Sequence, residues 1–132
     1  MDNITSCAEL ITLLHSFINE KTEKLSIIST AQAYIKKNYE QNISVDEIAN
    51  ACNVSTSYLH KIFKNKLGIT PSIYLLNHRI SVAQNLLVNS NQTLTEIAFN
   101  CGFNSGSYFS DCFKKNVGVT PKDFRKNKVY TL

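Results

Sequence analysis

Bond-making chemistry needs nucleophiles, acids, bases or metal ligands at fixed spacings, and this chain offers few. Its histidines, His15, His60 and His78, lie too far apart for an HExxH-type pair, and no cysteine pair stands beside them to complete a zinc site. Cys7, Cys52, Cys101 and Cys112 form no C-x-x-C element and read as free thiols. A glycine-rich phosphate loop and a G-x-S-x-G elbow are both missing from the sequence. The sequence therefore predicts no enzyme, no metal site and no cofactor. What remains is cationic and hydrogen-bonding chemistry. Residues 1–54 hold 4 Lys and 7 acids, whereas residues 55–132 hold 10 Lys or Arg and 3 acids. That reversal of sign predicts a polyanionic partner for the second part. Within it, Ser57, His60 and Lys61 stand at i, i+3 and i+4, as do Ser107, Ser110 and Asp111. Each trio would share one face of a helix and present donors and acceptors together. Lys64, Lys66, Lys114 and Lys115 follow within a turn or so, where an ammonium group suits a phosphate or simply a solvated surface.

The elements that must position these residues come in duplicate. Ile48, Ala49 and Cys52 recur as Ile97, Ala98 and Cys101 at an offset of 49. From Ser55 to Pro71 the offset is 50, and eight of 17 positions are identical, among them Tyr58/Tyr108, Phe63/Phe113, Lys64/Lys114, Gly68/Gly118 and Pro71/Pro121. One extra residue therefore sits between Cys101 and Ser105, and an insertion is tolerated in a turn but not inside a helix, which it would rotate by about 100°. Each copy thus reads as helix, tight turn, helix. Ser44 with Glu47, and Thr93 with Glu96, have capping-box spacing. Asn53 and Gly102 suit left-handed turn positions. Ser55 and Ser105 suit caps of second helices covering about 55–66 and 105–116, with buried faces of Leu59, Ile62 and Phe63, then Phe109, Cys112 and Phe113. Gly68 and Gly118 are stops, and Thr-Pro at 70–71 and 120–121 starts new helices.

The fold class predicted is all-α: two helix-turn-helix subdomains joined by a long linker helix, with an extra N-terminal helix. The linker covers 71–89, with Ile73, Leu76, Ile80, Ala83 and Leu87 inward. Ahead of the repeats, helices are predicted over 6–20 and 26–40, the second facing inward through Ile27, Ile28, Ala31, Tyr34 and Ile35. The polar stretch Asn19 to Lys24 reads as the break between them. The division is 1–25 as an N-terminal helical extension or linker stub, 26–89 as the first unit plus linker, and 90–132 as the second unit and tail. The helix at 6–20, with Leu10, Leu13, Leu14, Phe17 and Ile18, admits a dimer contact, a stub of an upstream domain, or local packing. No stretch suits a signal peptide or a membrane span, which predicts a cytoplasmic protein.

At these residues the chain resembles the AraC/XylS family of bacterial transcription regulators. The resemblance runs from about Ile27 to Lys126, and its most specific part is GFNSGSYFSDCFKKNVGVTPKDFR at 102–125. SVDEIANACNVSTSYLHKIFKNKLGITPSIYL matches the first unit, and HRISVAQNLL at 78–87 the linker helix with its arginine. The resemblance implies a bilobed module that binds double-stranded DNA sequence-specifically, with two recognition helices in adjacent major grooves. It also implies transcription activation through contact with RNA polymerase, and a sensing or dimerising domain ahead of the module in most members. It places base reading at Ser57, His60 and Lys61, and the repeat extends this to Ser107, Ser110 and Asp111. By position, Lys64, Lys66, Lys114 and Lys115 suit phosphates, as do the backbone N–H groups of the helix N-termini at Ser44 and Thr93. Lys61 suits guanine O6 or N7. Asp111 departs from the pattern, because members often carry a base-reading arginine there. A carboxylate either accepts from cytosine N4 or pairs with Lys114 or Lys115. Arg79 reads as a salt-bridge partner of Glu96, and Tyr58 and Tyr108 as core residues rather than phosphate donors. A homodimer through the N-terminal helix or an absent upstream domain fits the leading segment, and a longer regulator is the expected context. The alternative on the residues alone is a helix-turn-helix protein-interaction adaptor without strong DNA readout.

Overall fold

Small polar side chains set where the helices begin. Ser44 Oγ accepts from the Glu47 N–H at 3.1 Å and starts α2 (Val45–Ala51). Thr93 Oγ1 accepts from the Glu96 N–H at 3.1 Å while Glu96 Oε2 accepts from the Thr93 N–H at 3.4 Å, so α5 (Leu94–Asn100) has the full capping box. Ser55 and Ser105 each accept at 3.1 Å, from the N–H of Tyr58 and Tyr108, and open α3 (Thr56–Leu67) and α6 (Gly106–Val117). Both of these helices end at a left-handed glycine, Gly68 (φ 75°) and Gly118 (φ 97°). Thr70 and Thr120 cap α4 (Pro71–Asn89) and α7 (Pro121–Lys126), each with proline in its first turn.

The computed structural model describes the backbone of residues 3–127 and the side chains from Cys7 onward, and among them it is helical with no strand. The first lobe buries Ile27, Ile28, Ala31 and Ile35 against Ile48, Ala49, Leu59, Ile62 and Phe63. The second buries Ile97, Ala98 and Cys101 against Phe103, Phe109 and Phe113. Aromatic rings run through that second core, with Phe109 at 5.1 Å from Phe103 and 5.7 Å from Phe113, and Phe124 at 5.4 Å from Phe113. α4 belongs to both lobes, giving Leu75 to the first core and Ile80, Ala83 and Leu87 to the second.

Two expectations about the helices need correction. The N-terminal helices at 6–20 and 26–40 are one continuous helix, α1 (Asn3–Asn38). Nothing in Asn19 to Lys24 breaks a helix: the stretch has no Gly or Pro, and Glu and Lys are good helix formers. Lys24 pairs with Glu20 one turn back at 3.2 Å, and the Thr22 hydroxyl donates to the Ile18 carbonyl at 2.8 Å. The other concerns α4, where Ile73 is 44% exposed and Leu75 takes the inward place. The helix changes the lobe it faces along its length, so no single stripe describes it.

Candidate nucleic-acid interface

The caps and the inward residues of α3 fix what points out. Ser57, Lys61 and Lys64 are exposed, and His60 is half-buried. His60 Nδ1 lies 3.1 Å from the Thr56 carbonyl, a bond that requires the Nδ1–H tautomer in the neutral ring and leaves Nε2 as an outward acceptor. Thr56 itself is not free: its hydroxyl donates to Asp46 and ties the start of α3 to α2. The turn between α2 and α3 passes through Asn53 at φ 57°, and Val54 N–H closes it onto the Ala49 carbonyl at 3.1 Å. Phe103 N–H makes the same closing bond to Ala98 at 2.9 Å. The additional residue of the second copy is therefore Asn104, lodged between the closed turn and the Ser105 cap.

On α6, Ser107 and Asp111 are exposed and Ser110 is half-buried, in the same register as the trio on α3. Asp111 does not pair with Lys114 or Lys115; among the described residues the ion pair formed is Lys24–Glu20. An i, i+3 or i, i+4 spacing permits such a pair, but exposed partners gain little by making it. Lys64, Lys66, Lys114 and Lys115 are exposed, and the Ser44 and Thr93 hydroxyl oxygens are occupied as caps. Tyr58 packs half-buried against the first core. Tyr108 does not join the second: it is 57% exposed beside Phe103.

Two arginines lock the scaffold. Arg79 of α4 bonds no acid; its Nε donates to the Tyr39 carbonyl at 2.9 Å and an Nη to the Gln41 carbonyl at 2.8 Å. Glu96, the partner expected for it, is spent in its own capping box. Gly102, in the second turn at φ 94°, lies so close that a Cβ there would meet the Tyr39 carbonyl and sit 2.8 Å from Arg79 Nε. The second unit's turn thus rests on a bond made inside the first. Arg125, which sequence reasoning left without a role, grips the end of α4 through the carbonyls of Leu87 (3.1 Å), Gln92 (2.6 Å) and Ser90 (3.3 Å). Its signal was indirect: each unit ends in a helix carrying one arginine, and each arginine ties down the loop ahead of that unit. Next to this junction burial lifts the Cys101 thiol to about 11, as suits an apolar filler.

Comparison with known proteins agrees with this geometry. A family model described as a helix-turn-helix domain matches residues 48–127. The chain is 31% identical over 122 residues to the transcriptional activator RhaS of Klebsiella pneumoniae, covering 91% of this chain and 44% of that protein. It spans less than half the length of the curated relatives RhaS and LumQ. Its fold is similar to a transcriptional regulator with an AraC-type DNA-binding domain from Chromobacterium violaceum, with TM-score 0.75, 32% identity, and coverage of 79% of this chain and 93% of that one. The C-terminal domain of AraT, a response regulator from Geobacillus stearothermophilus, superposes with TM-score 0.74 and 34% identity over 76% of this chain and 84% of that one. The chain belongs to the AraC-type family of helix-turn-helix transcription regulators, and it carries that family's tandem DNA-binding module.

Proposed function

We propose that the chain reads two boxes of a DNA duplex, with α3 in one major groove and α6 in the next, and regulates transcription from that site. The observation that carries this reading is the shared register of Ser57, His60 and Lys61 with Ser107, Ser110 and Asp111, on helices joined by one uninterrupted α4. Nineteen residues of helix span about 28 Å, close to the roughly 34 Å of one duplex turn. Lys61 supplies the strongest base contact, a donor for guanine, while Asp111 selects cytosine N4 or excludes phosphate. Lys64, Lys66, Lys114 and Lys115, with the helix N-termini at Ser44 and Thr93, take phosphates. Residues 26–89 and 90–132 form the two reading units, and 1–25 the extension. The module acts in the cytoplasm, touching RNA polymerase, and it acts as an activator, a reading supported by the name of the RhaS relative. No described helix is long and apolar enough to cross a membrane.

A second copy of the chain is the partner for the free part of α1. Cys7, Ile11, Leu14, Ile18, Lys21 and Leu25 follow alternating steps of four and three, a coiled-coil seam interrupted at Lys21. Ile11, Leu14, Ile18 and Leu25 are 48–57% exposed along one continuous helix.

The test is selection of the purified chain against a randomised duplex pool, followed by affinity across salt. Two boxes about one turn apart establish tandem reading. Affinity that barely responds to salt, with no enriched motif, overturns it in favour of a protein-interaction adaptor.

A further inference from the structure

Lys61 stands on the border between two faces of α3. At 100° per residue, Ser57, His60, Lys61 and Lys64 form the outward face, while Tyr58, Lys61 and Asn65 turn toward α1. There Glu20 and Lys24 of α1 close a cleft of about 170 Å³ with Lys61, Asn65 and Lys66 of α3. An adjoining cleft of about 180 Å³ again holds Lys24 and Lys66, now with Lys21 and Phe17. The two clefts are thus lined by four lysines, Lys21, Lys24, Lys61 and Lys66, and by a single acid, Glu20, whose Oε1 lies 3.2 Å from Lys24 Nζ. A cationic concavity of this kind concentrates anions. A helix in a major groove about 12 Å wide has a sugar–phosphate strand on either side of it. On the Lys61 side of α3, the neighbouring element is α1.

We infer that α1 is a third DNA contact: Lys24, facing Lys66 across the cleft, binds a backbone phosphate at the edge of the first box, and Glu20 competes with that phosphate for Lys24. This rests on the reading of α3 as a groove helix. It adds an element that none of the base-reading or phosphate residues named above belongs to. The contact carries no sequence information, because a phosphate is the same at every base pair. It also lies outside the box, so it lengthens the protected duplex without lengthening the recognised motif.

The full-length chain and its Lys24→Gln and Glu20→Gln variants would be titrated on a selected duplex and on a scrambled duplex of equal length. Lys24→Gln is expected to weaken binding to both duplexes by the same factor and to flatten the log–log salt slope by about 0.9. Across about 50 to 200 mM salt, that variant loses about 3.5-fold less affinity than wild type. Glu20→Gln is expected to move the other way and tighten binding to both. Trimming the flanking base pairs beside the first box removes the difference between wild type and Lys24→Gln. An unchanged salt slope in Lys24→Gln overturns the proposal. So does weakening in both variants, which makes the pair a brace of α1 rather than a competitor for phosphate. Should wild type itself show no salt-dependent binding, the groove assignment of α3 fails, and this inference fails with it.

Discussion

Lys61 and Asp111 hold equivalent positions in the two copies and carry opposite charges, both exposed. At a base edge that difference is the difference between gripping guanine and accepting from cytosine. Lys61→Ala is expected to cost about 1–3 kcal/mol at the cognate site and to relax one base position, as measured by competition with single-base variants. Asp111→Arg is expected to strengthen binding to DNA of any sequence; weaker binding to the selected site alone would instead show a specific contact by Asp111. His78 makes a prediction about pH. Its ring lies edge-on to Tyr39 at 4.8 Å, and burial, then the Lys36 cation, holds its pKa below the usual 6.5. The unfolded chain therefore takes up the proton first, so stability present above pH 6.5 is lost as pH falls below it. The melting temperature of wild type should drop on acidification, and His78→Gln should flatten that part of the profile. At this scale the hydroxyl caps and the left-handed turn residues were legible, because each follows from local spacing. Glu47, however, does not return the bond that a full capping box at Ser44 requires, and His60 and Ser110 of the outward trios are half-buried. The partners of Arg79 were not. Both are backbone carbonyls about 40 residues away, and a carbonyl leaves no mark in a sequence.

The helices themselves were legible wherever a cap or a stop marked them. α1 was misjudged because a polar stretch resembles a linker, although six helix-compatible residues in a row end nothing. Its continuity puts the exposed Ile11, Leu14 and Ile18 on one helix, with a shared seam. Leu14→Asp is expected to shift the chain from dimer to monomer in sedimentation at micromolar concentration while leaving the far-ultraviolet circular dichroism helical. A wild-type chain that sediments as a monomer throughout refutes the pairing. The inward side of α4 was half legible. Ile80, Ala83 and Leu87 follow the expected spacing, but the exchange of Ile73 for Leu75 depends on the crossing from one lobe to the other. Periodicity within one helix does not record that crossing.

Across the whole molecule, the spacing of the two reading helices depends on how rigidly the lobes are joined. α4 supplies the rod, and the seat of Gly102 on Tyr39 and Arg79 restrains rotation about it. Gly102→Ala adds a left-handed penalty of about 1–3 kcal/mol and forces a methyl group onto a backbone oxygen. We expect a lowered melting temperature and, in whatever folds, a larger loss on two-box duplexes than on single-box ones. An unchanged melting temperature would mean that the lobes can slip apart at little cost. The duplication and its one-residue slip were plain from the sequence, yet the reason for glycine at 102 was not, since the left-handed turn alone also accepts Asn53 in the first copy. That inequality has a further consequence. Asn53 brings the Cβ that Gly102 lacks, so the first unit cannot seat on a predecessor as the second seats on it. Repeat arrays grow when every unit offers the same socket and the same plug. Here the leading unit has only the socket, which gives the pair a fixed polarity and caps it against extension from its N-terminal side.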